Sequence, residues 1–301
     1  MAPKMNPDEI DISQALVSGL ITSQFPAWAH LPIAKVSSAG TDNAIYRLGD
    51  AMAVRLPRLD GAAAMVAKEQ RWLPRLAPQL PLSIPVPLAA GIPEGEFPYP
   101  WSVYRWLAGE DLAARTDVDL SDVASRLGEF IAVLQRIDTA AAPVSPRATP
   151  IDARDDDVVR VTIRQLSEEG NLDGDAAVAV WESALAAPSW NRPLVWIHGD
   201  LFPSNLLALF GRLAAVIDFG LLGLGDPATD MLPAWTLLTA RSRELFRAAA
   251  EVDDATWVRG RGWALSAGLG AVRVYRKTNP VLAAAGRHAI DQVVANHQNS
   301  T

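Results

Sequence analysis

The sequence predicts an α+β protein, a small β-rich lobe followed by a larger and mainly helical one. Three observations carry that expectation. Short apolar runs of strand length, punctuated by Gly-Asn-Asp turns, crowd the segment from Ala34 to Leu56. An aromatic run, Trp101-Ser-Val-Tyr-Arg-Trp-Leu107, ends at Gly109. From Ser121 onward the apolar period lengthens to that of helices. The change of character near Gly109 divides the chain into an N-terminal lobe with a leading helix, residues 1–108, and a C-terminal lobe, 109–301.

The elements follow in order. Residues 8–24 read as an amphipathic helix with Ile12, Leu16, Leu20 and Ile21 on one face, and Pro26 lies just past its end. Three β-like pieces come next: Ala34–Ser38, Ala44–Gly49 and Met52–Leu56. Gly40-Thr-Asp-Asn43 and Gly49-Asp50 supply the turns between them. Ala62–Leu76 has a helical pattern with Lys68, Glu69 and Arg71 on its polar positions. The proline-rich stretch 78–100 fits short strands and loops. Ser121–Ile137 reads as a helix with Ser121 as N-cap. Residues 140–150 form a loop. Two helices broken near Gly170–Gly174 fill 154–187. Leu194–His198 is a buried strand, Leu206–Leu209 and Leu213–Ile217 a hairpin around Gly211, and the rest to about His297 several helices.

Bulk composition narrows the function. Half of the 301 residues are hydrophobic, the signature of a globular chain with a large core. There is no cysteine, which removes disulfides, thiolate metal sites and cysteine nucleophiles. A net charge of −7 argues against a nucleic-acid partner. The N-terminal residues carry acids early and lack an apolar signal core, and no apolar run reaches membrane-spanning length. The expected location is the cytoplasm, with no membrane partner. Oligomeric state is not legible.

The most informative stretch is His198-Gly-Asp-Leu-Phe-Pro-Ser-Asn205, followed by Ile217-Asp-Phe-Gly220. Phosphoryl transfer demands a group that orients a hydroxyl, ligands for Mg2+ on the phosphates, and neutralisation of developing charge. Asp200 is the candidate base. Asn205, five residues on, and Asp218 are candidate Mg2+ ligands, hard oxygen donors of the kind that ion takes. The Asp-to-Asn step is that of the kinase pattern H-R-D-x-x-x-x-N with a later D-F-G, with Gly199 in the arginine position. His198 reads as a loop brace. Asp226 reads as an N-cap before Pro227, and Asp230 as a tie on the catalytic loop or a contact for a cationic substrate.

The nucleotide, ATP or GTP, needs a cradle. The turn around Ser38, Thr41 and Asn43 offers backbone N–H groups and hydroxyls. In the next strand Arg55 stands where kinases carry a phosphate-pairing lysine, and Glu69 is its expected partner. Tyr104 and Trp106 lie where the chain crosses between lobes and are candidates to wall the base. Only five residues separate Gly220 from Asp226, which leaves no room for an activation loop and disfavours a switched protein kinase.

These residues resemble the aminoglycoside phosphotransferase and choline-kinase-like family of small-molecule kinases. The matching pieces are Ser38-Ala-Gly-Thr-Asp-Asn43, Ala53-Val-Arg-Leu-Pro57, Lys68-Glu69, the two stretches above and Gly225-Asp-Pro-Ala-Thr-Asp230. The resemblance implies a bilobal protein-kinase-like fold, a nucleoside triphosphate bound between lobes, and Mg2+. It implies Asp200 as base, Asn205 and Asp218 as metal ligands, and an acceptor hydroxyl on an aminoglycoside or macrolide antibiotic. Arg55 departs from the family's lysine. The alternatives are a metabolic alcohol kinase acting on choline, homoserine or a sugar, and a nucleotide-binding pseudokinase. Residues 151–175 hold eight acids against three arginines, which favours a cationic acceptor if they line its cleft.

Overall fold

The computed structural model describes residues 9–36, 42–113, 115, 117–151, 156–170 and 172–298. Two units emerge from its internal contacts. The first takes Met1–Gly109 together with Ala215–Gly220, and the second takes Glu110–Ala214 and Leu221–Thr301. The Asp218 segment thus belongs with the first unit, although a single cut near Gly109 assigns it to the second.

In the first unit, helix α1 (Gln14–Gln24) starts at Ser13, whose hydroxyl accepts the Leu16 N–H at 3.1 Å. It is shorter than the expected 8–24, because this cap sets the start and residues 9–13 precede it without helical structure. Val17, Leu20 and Ile21 form its buried face, with Ile12 and Leu16 packed at the margin. Strands β1 (Ile33–Lys35), β2 (Asn43–Leu48) and β3 (Met52–Pro57) follow, then helix α2 (Asp60–Leu76), β4 (Pro87–Gly91) and β5 (Trp101–Arg105). They form one antiparallel sheet in the order β1-β2-β3-β5-β4. Along β2 the period of two puts Ala44, Tyr46 and Leu48 inside, where they meet Val54, Leu56, Trp101 and Val103 and the buried face of α1. Gly91 is dictated by packing: a Cβ there would lie 2.0 Å from the Trp101 ring.

Helix α2 corrects one expectation. Glu69, expected on a polar position of this helix, does not lie on its outer face. It falls at helical spacing between Val66 and Leu73 on the buried stripe, and only 2% of it is exposed.

The second unit opens with β6 (Glu110–Asp111) and helix α3 (Leu120–Arg136). The cap of α3 is Asp119 rather than Ser121: its carboxylate accepts the N–H of Ser121 at 2.9 Å and of Asp122 at 3.3 Å. Helices α4 (Asp156–Glu168) and α5 (Gly174–Ala186) are the expected pair, followed by strands β7 (Val195–Ile197), β8 (Leu206–Leu209), β9 (Arg212–Val216) and β10 (Gly223–Gly225). β7 pairs antiparallel with β10, and β8 lies between β6 and β9. Helices α6 (Pro233–Thr236), α7 (Ala240–Ala250), α8 (Asp254–Tyr275) and α9 (Pro280–Gln298) complete it. α8 packs against α9 and α5, and α3 packs against α7. Trp181, Trp196, Trp235 and Trp263 are fully buried in this unit. Among the described residues no helix is long and apolar enough to cross a membrane.

Candidate active site

The loop after β7 is built by what flanks it. β7 is held by pairing with β10, Ile197 opposite Gly223, and the chain then turns through His198 and Gly199 to Asp200. Gly199 has φ +84°, and a Cβ there would lie 3.0 Å from the Leu221 carbonyl oxygen, so only glycine fits without strain. The His198 ring is buried and its Nδ1 accepts the Asp200 N–H at 3.2 Å, the bracing expected from sequence.

Asp230 fixes the same loop from below. One carboxylate oxygen accepts the His198 N–H and the other the Gly199 N–H, both at 2.8 Å. The side chain is fully buried. That burial pushes its carboxyl up to about 7, Asp200 adds to the rise, and the two N–H bonds pull against it. The short 3-10 turn Pro227–Met231 that carries Asp230 begins at Asp226, which caps it by accepting the Ala228 N–H at 2.9 Å. Asp226 also forms a buried, two-pronged ion pair with Arg259 of α8, at 2.8 and 2.9 Å. Sequence reading missed Arg259. Its only signal is a charged residue in phase with the buried stripe of α8.

Asn205 closes the loop. A second 3-10 turn, Pro203–Asn205, brings its amide back so that Nδ2 donates to the Asp200 carbonyl at 2.8 Å and to Asp200 Oδ2 at 3.0 Å. Both amide hydrogens are thereby used on Asp200. The amide oxygen makes no hydrogen bond among the described residues.

The first unit carries a separate network. Arg55 of β3 donates through Nη1 to both oxygens of Glu69 on α2, at 2.6 and 2.7 Å, and through Nη2 to Asp218 Oδ1 at 2.6 Å. Turned so that its oxygen faces the guanidinium, the Asn43 amide accepts from Nη2 at 2.9 Å and Nε at 3.3 Å. Burial works against the Arg55 charge, but Glu69 and Asp218 outweigh it and hold the guanidinium above its usual range. The Tyr104 hydroxyl donates to Glu69 Oε2 at 2.5 Å, and burial followed by the Glu69 charge drives its pKa upward. Lys68 donates to the Gly220 carbonyl at 2.7 Å. Asp218 itself has φ +63°, a left-handed conformation that aspartate tolerates better than most residues.

The structure therefore brings Asn43, Arg55, Glu69, Tyr104 and Asp218 together. Asn43 serves Arg55 as the first residue of β2, and Tyr104 turns inward to Glu69. Trp106 is half-buried beneath the Arg47 guanidinium, 4.2 Å from its ring centroid. Ser38 and Thr41 lie outside the described residues. Among the described residues no group of three or more His, Asp or Glu side chains gathers to hold a metal ion.

A model of the phosphotransferase enzyme family matches residues 34–264, well over half the chain. The chain belongs to that family. It is a phosphotransferase, and its fold is the α+β protein-kinase-like one. Solved structures agree on the fold. The GDP complex of wild-type aminoglycoside 2'-phosphotransferase-IIIa is similar at TM-score 0.72 and 19% identity, covering 95% of this chain and 100% of the other. The GDP and kanamycin complex of APH(2")-IIia gives 0.70 and 20%, covering 93% and 98%. The apoenzyme of macrolide 2'-phosphotransferase MphH from Brachybacterium faecium gives 0.59 and 22%, covering 87% and 93%. No curated protein matches the sequence.

In this phosphotransferase the acids of 151–175 are divided among jobs. Asp156 accepts from Arg160 and from Trp181 Nε1, Glu169 pairs with Arg276, and Asp173 caps α5. Asp157, Glu168 and Asp175 are exposed, while Asp152 and Asp155 lie outside the described residues.

Proposed function

We propose that this phosphotransferase moves the γ-phosphate of ATP or GTP to a hydroxyl of a small molecule in a Mg2+-dependent reaction, with an aminoglycoside or macrolide antibiotic as acceptor. The observation that carries the reading is Asp200, aimed by the Asn205 amide in a loop whose backbone Asp230 holds by two hydrogen bonds. Asp200 orients the acceptor hydroxyl and takes its proton. In a loose phosphoryl-transfer transition state that proton leaves late, so a fixed direction matters more than a raised basicity.

Bound Mg2+ would supply charge neutralisation on the phosphates. Asn205 would hold it through the amide oxygen left open by the bonds to Asp200, and Asp218 through its carboxylate. Arg55, oriented by Glu69, contributes positive charge on the phosphate side. Trp106 borders the base, and Tyr104 fixes Glu69.

Two things support the antibiotic acceptor. The similar structures include kanamycin, gentamicin and streptomycin complexes and macrolide phosphotransferases. Exposed acids on α4 and α5 also suit a polycation, which they would concentrate electrostatically. The test is product analysis by mass spectrometry after incubation with Mg2+, ATP or GTP, and a panel of aminoglycosides, macrolides, choline, homoserine and sugars. A phosphorylated aminoglycoside or macrolide is expected. Phosphorylation of a metabolic alcohol alone would replace the antibiotic reading with an alcohol kinase.

A further inference from the structure

Arg55 is unusual in how completely it is used. A guanidinium carries five N–H donors in a rigid fork. Nη1 faces both oxygens of Glu69, Nη2 gives one N–H to Asp218 and one to the Asn43 amide oxygen, and Nε donates to that same oxygen. In this arrangement neither Nη2 hydrogen is left for a phosphate. A lysine, with three donors on a single nitrogen, cannot span the same acceptors.

The acceptors differ in how firmly they hold. The Glu69 side chain is 2% exposed and receives a further bond from Tyr104, so it anchors Nη1 in place. The Asp218 side chain is 42% exposed and follows a left-handed backbone at the end of its strand. Of the two carboxylates on the fork, Asp218 is the one a competing cation can reach. A divalent ion that takes Asp218 Oδ1 must displace Nη2, and it frees that N–H to face the nucleotide.

We propose that Arg55 is a positioning residue that holds the Asp218 carboxylate until a divalent cation takes it, and that this competition sets the cation affinity of the nucleotide site. The inference rests on the reading of Asp218 as a cation ligand. A lysine here would satisfy the buried Glu69 first, because an unpaired buried carboxylate is the costlier state. It would leave Asp218 free in advance.

The experiment is titration of Mn2+, followed by its paramagnetic resonance, into the full chain saturated with ADP or GDP. Arg55→Lys is expected to bind Mn2+ about tenfold more tightly than the unmodified protein, the factor that one charge-assisted hydrogen bond corresponds to. Asp218→Asn is expected to bind it more weakly. Equal or weaker binding by a folded Arg55→Lys, with Asp218→Asn still impaired, would overturn the competition while leaving the ligand reading intact. Undiminished binding by Asp218→Asn would overturn both. If Arg55→Lys does not fold, the 15N signals of the Arg55 guanidinium in the unmodified protein decide. They are expected to shift on addition of Mg2+ with nucleotide, and signals that stay unchanged would overturn the proposal.

Discussion

Replacing Asp230 by asparagine should change how stability depends on pH, in a direction fixed by the geometry of the loop. Asp230 is fully buried, and its carboxyl is raised from an ordinary 3.8 to about 7. The folded value lies above the unfolded one. Between the two, the native state holds a proton that the unfolded chain has lost. The stabilisation from this group is therefore complete below pH 3.8 and is lost as pH rises through about 7. At about 1.4 kcal/mol per pKa unit, the rise corresponds to roughly 4 kcal/mol. Asparagine cannot ionise. It also turns an amide N–H toward one of the two loop N–H groups, a pH-independent cost of about 1–3 kcal/mol. The assay is urea denaturation followed by tryptophan fluorescence, with both proteins measured from pH 4 to pH 8.5. The stability of the unmodified protein minus that of Asp230→Asn should fall by roughly 4 kcal/mol between pH 4 and 7.5 and then level. A flat difference, or one that grows with pH, would refute the account of a carboxyl forced upward by burial.

Other expected outcomes follow from the same frame. Arg259→Met leaves Asp226 charged and buried without its partner. It should cost about 3–5 kcal/mol by thermal denaturation, and adding Asp226→Asn should recover much of the loss. Gly199→Ala forces a left-handed residue against the Leu221 carbonyl. It should destabilise by about 1–3 kcal/mol and lower kcat more than nucleotide affinity, read by steady-state kinetics and nucleotide titration. Glu69→Gln leaves the half-buried Arg55 guanidinium without its main counter-charge; it should lower the thermal midpoint, by about 3–5 kcal/mol of stability, and raise KM for the nucleotide.

The loop from His198 to Asn205 was legible because its logic is local. Five residues of spacing put Asn205 back on Asp200, and a glycine between His198 and Asp200 announces a turn. The strands of the first unit were legible from their period of two. Glu69 was legible as the partner of Arg55, but its charge suggested a polar position of the helix, although its phase between Val66 and Leu73 already placed it inside. The cap of α3 was misplaced by two residues because Ser121 and Asp119 both suit the role, and only the carboxylate sits where it accepts two N–H groups. The Arg55–Asp218 bond joins residues far apart in the chain, and no local spacing encodes it. Arg259 escaped notice for the same reason: its partner Asp226 lies on another element, and a buried arginine is legible only once that partner is known.

The central claim is that Asp200 directs the acceptor hydroxyl, and the most direct test is the rate of phosphoryl transfer by Asp200→Asn at saturating nucleotide and acceptor. The side chain keeps its size and one oxygen for the Asn205 amide but loses its capacity to take a proton. Transfer should fall by about 10²–10⁴-fold with nucleotide affinity little changed. A variant that transfers phosphate at the unmodified rate would contradict the assignment.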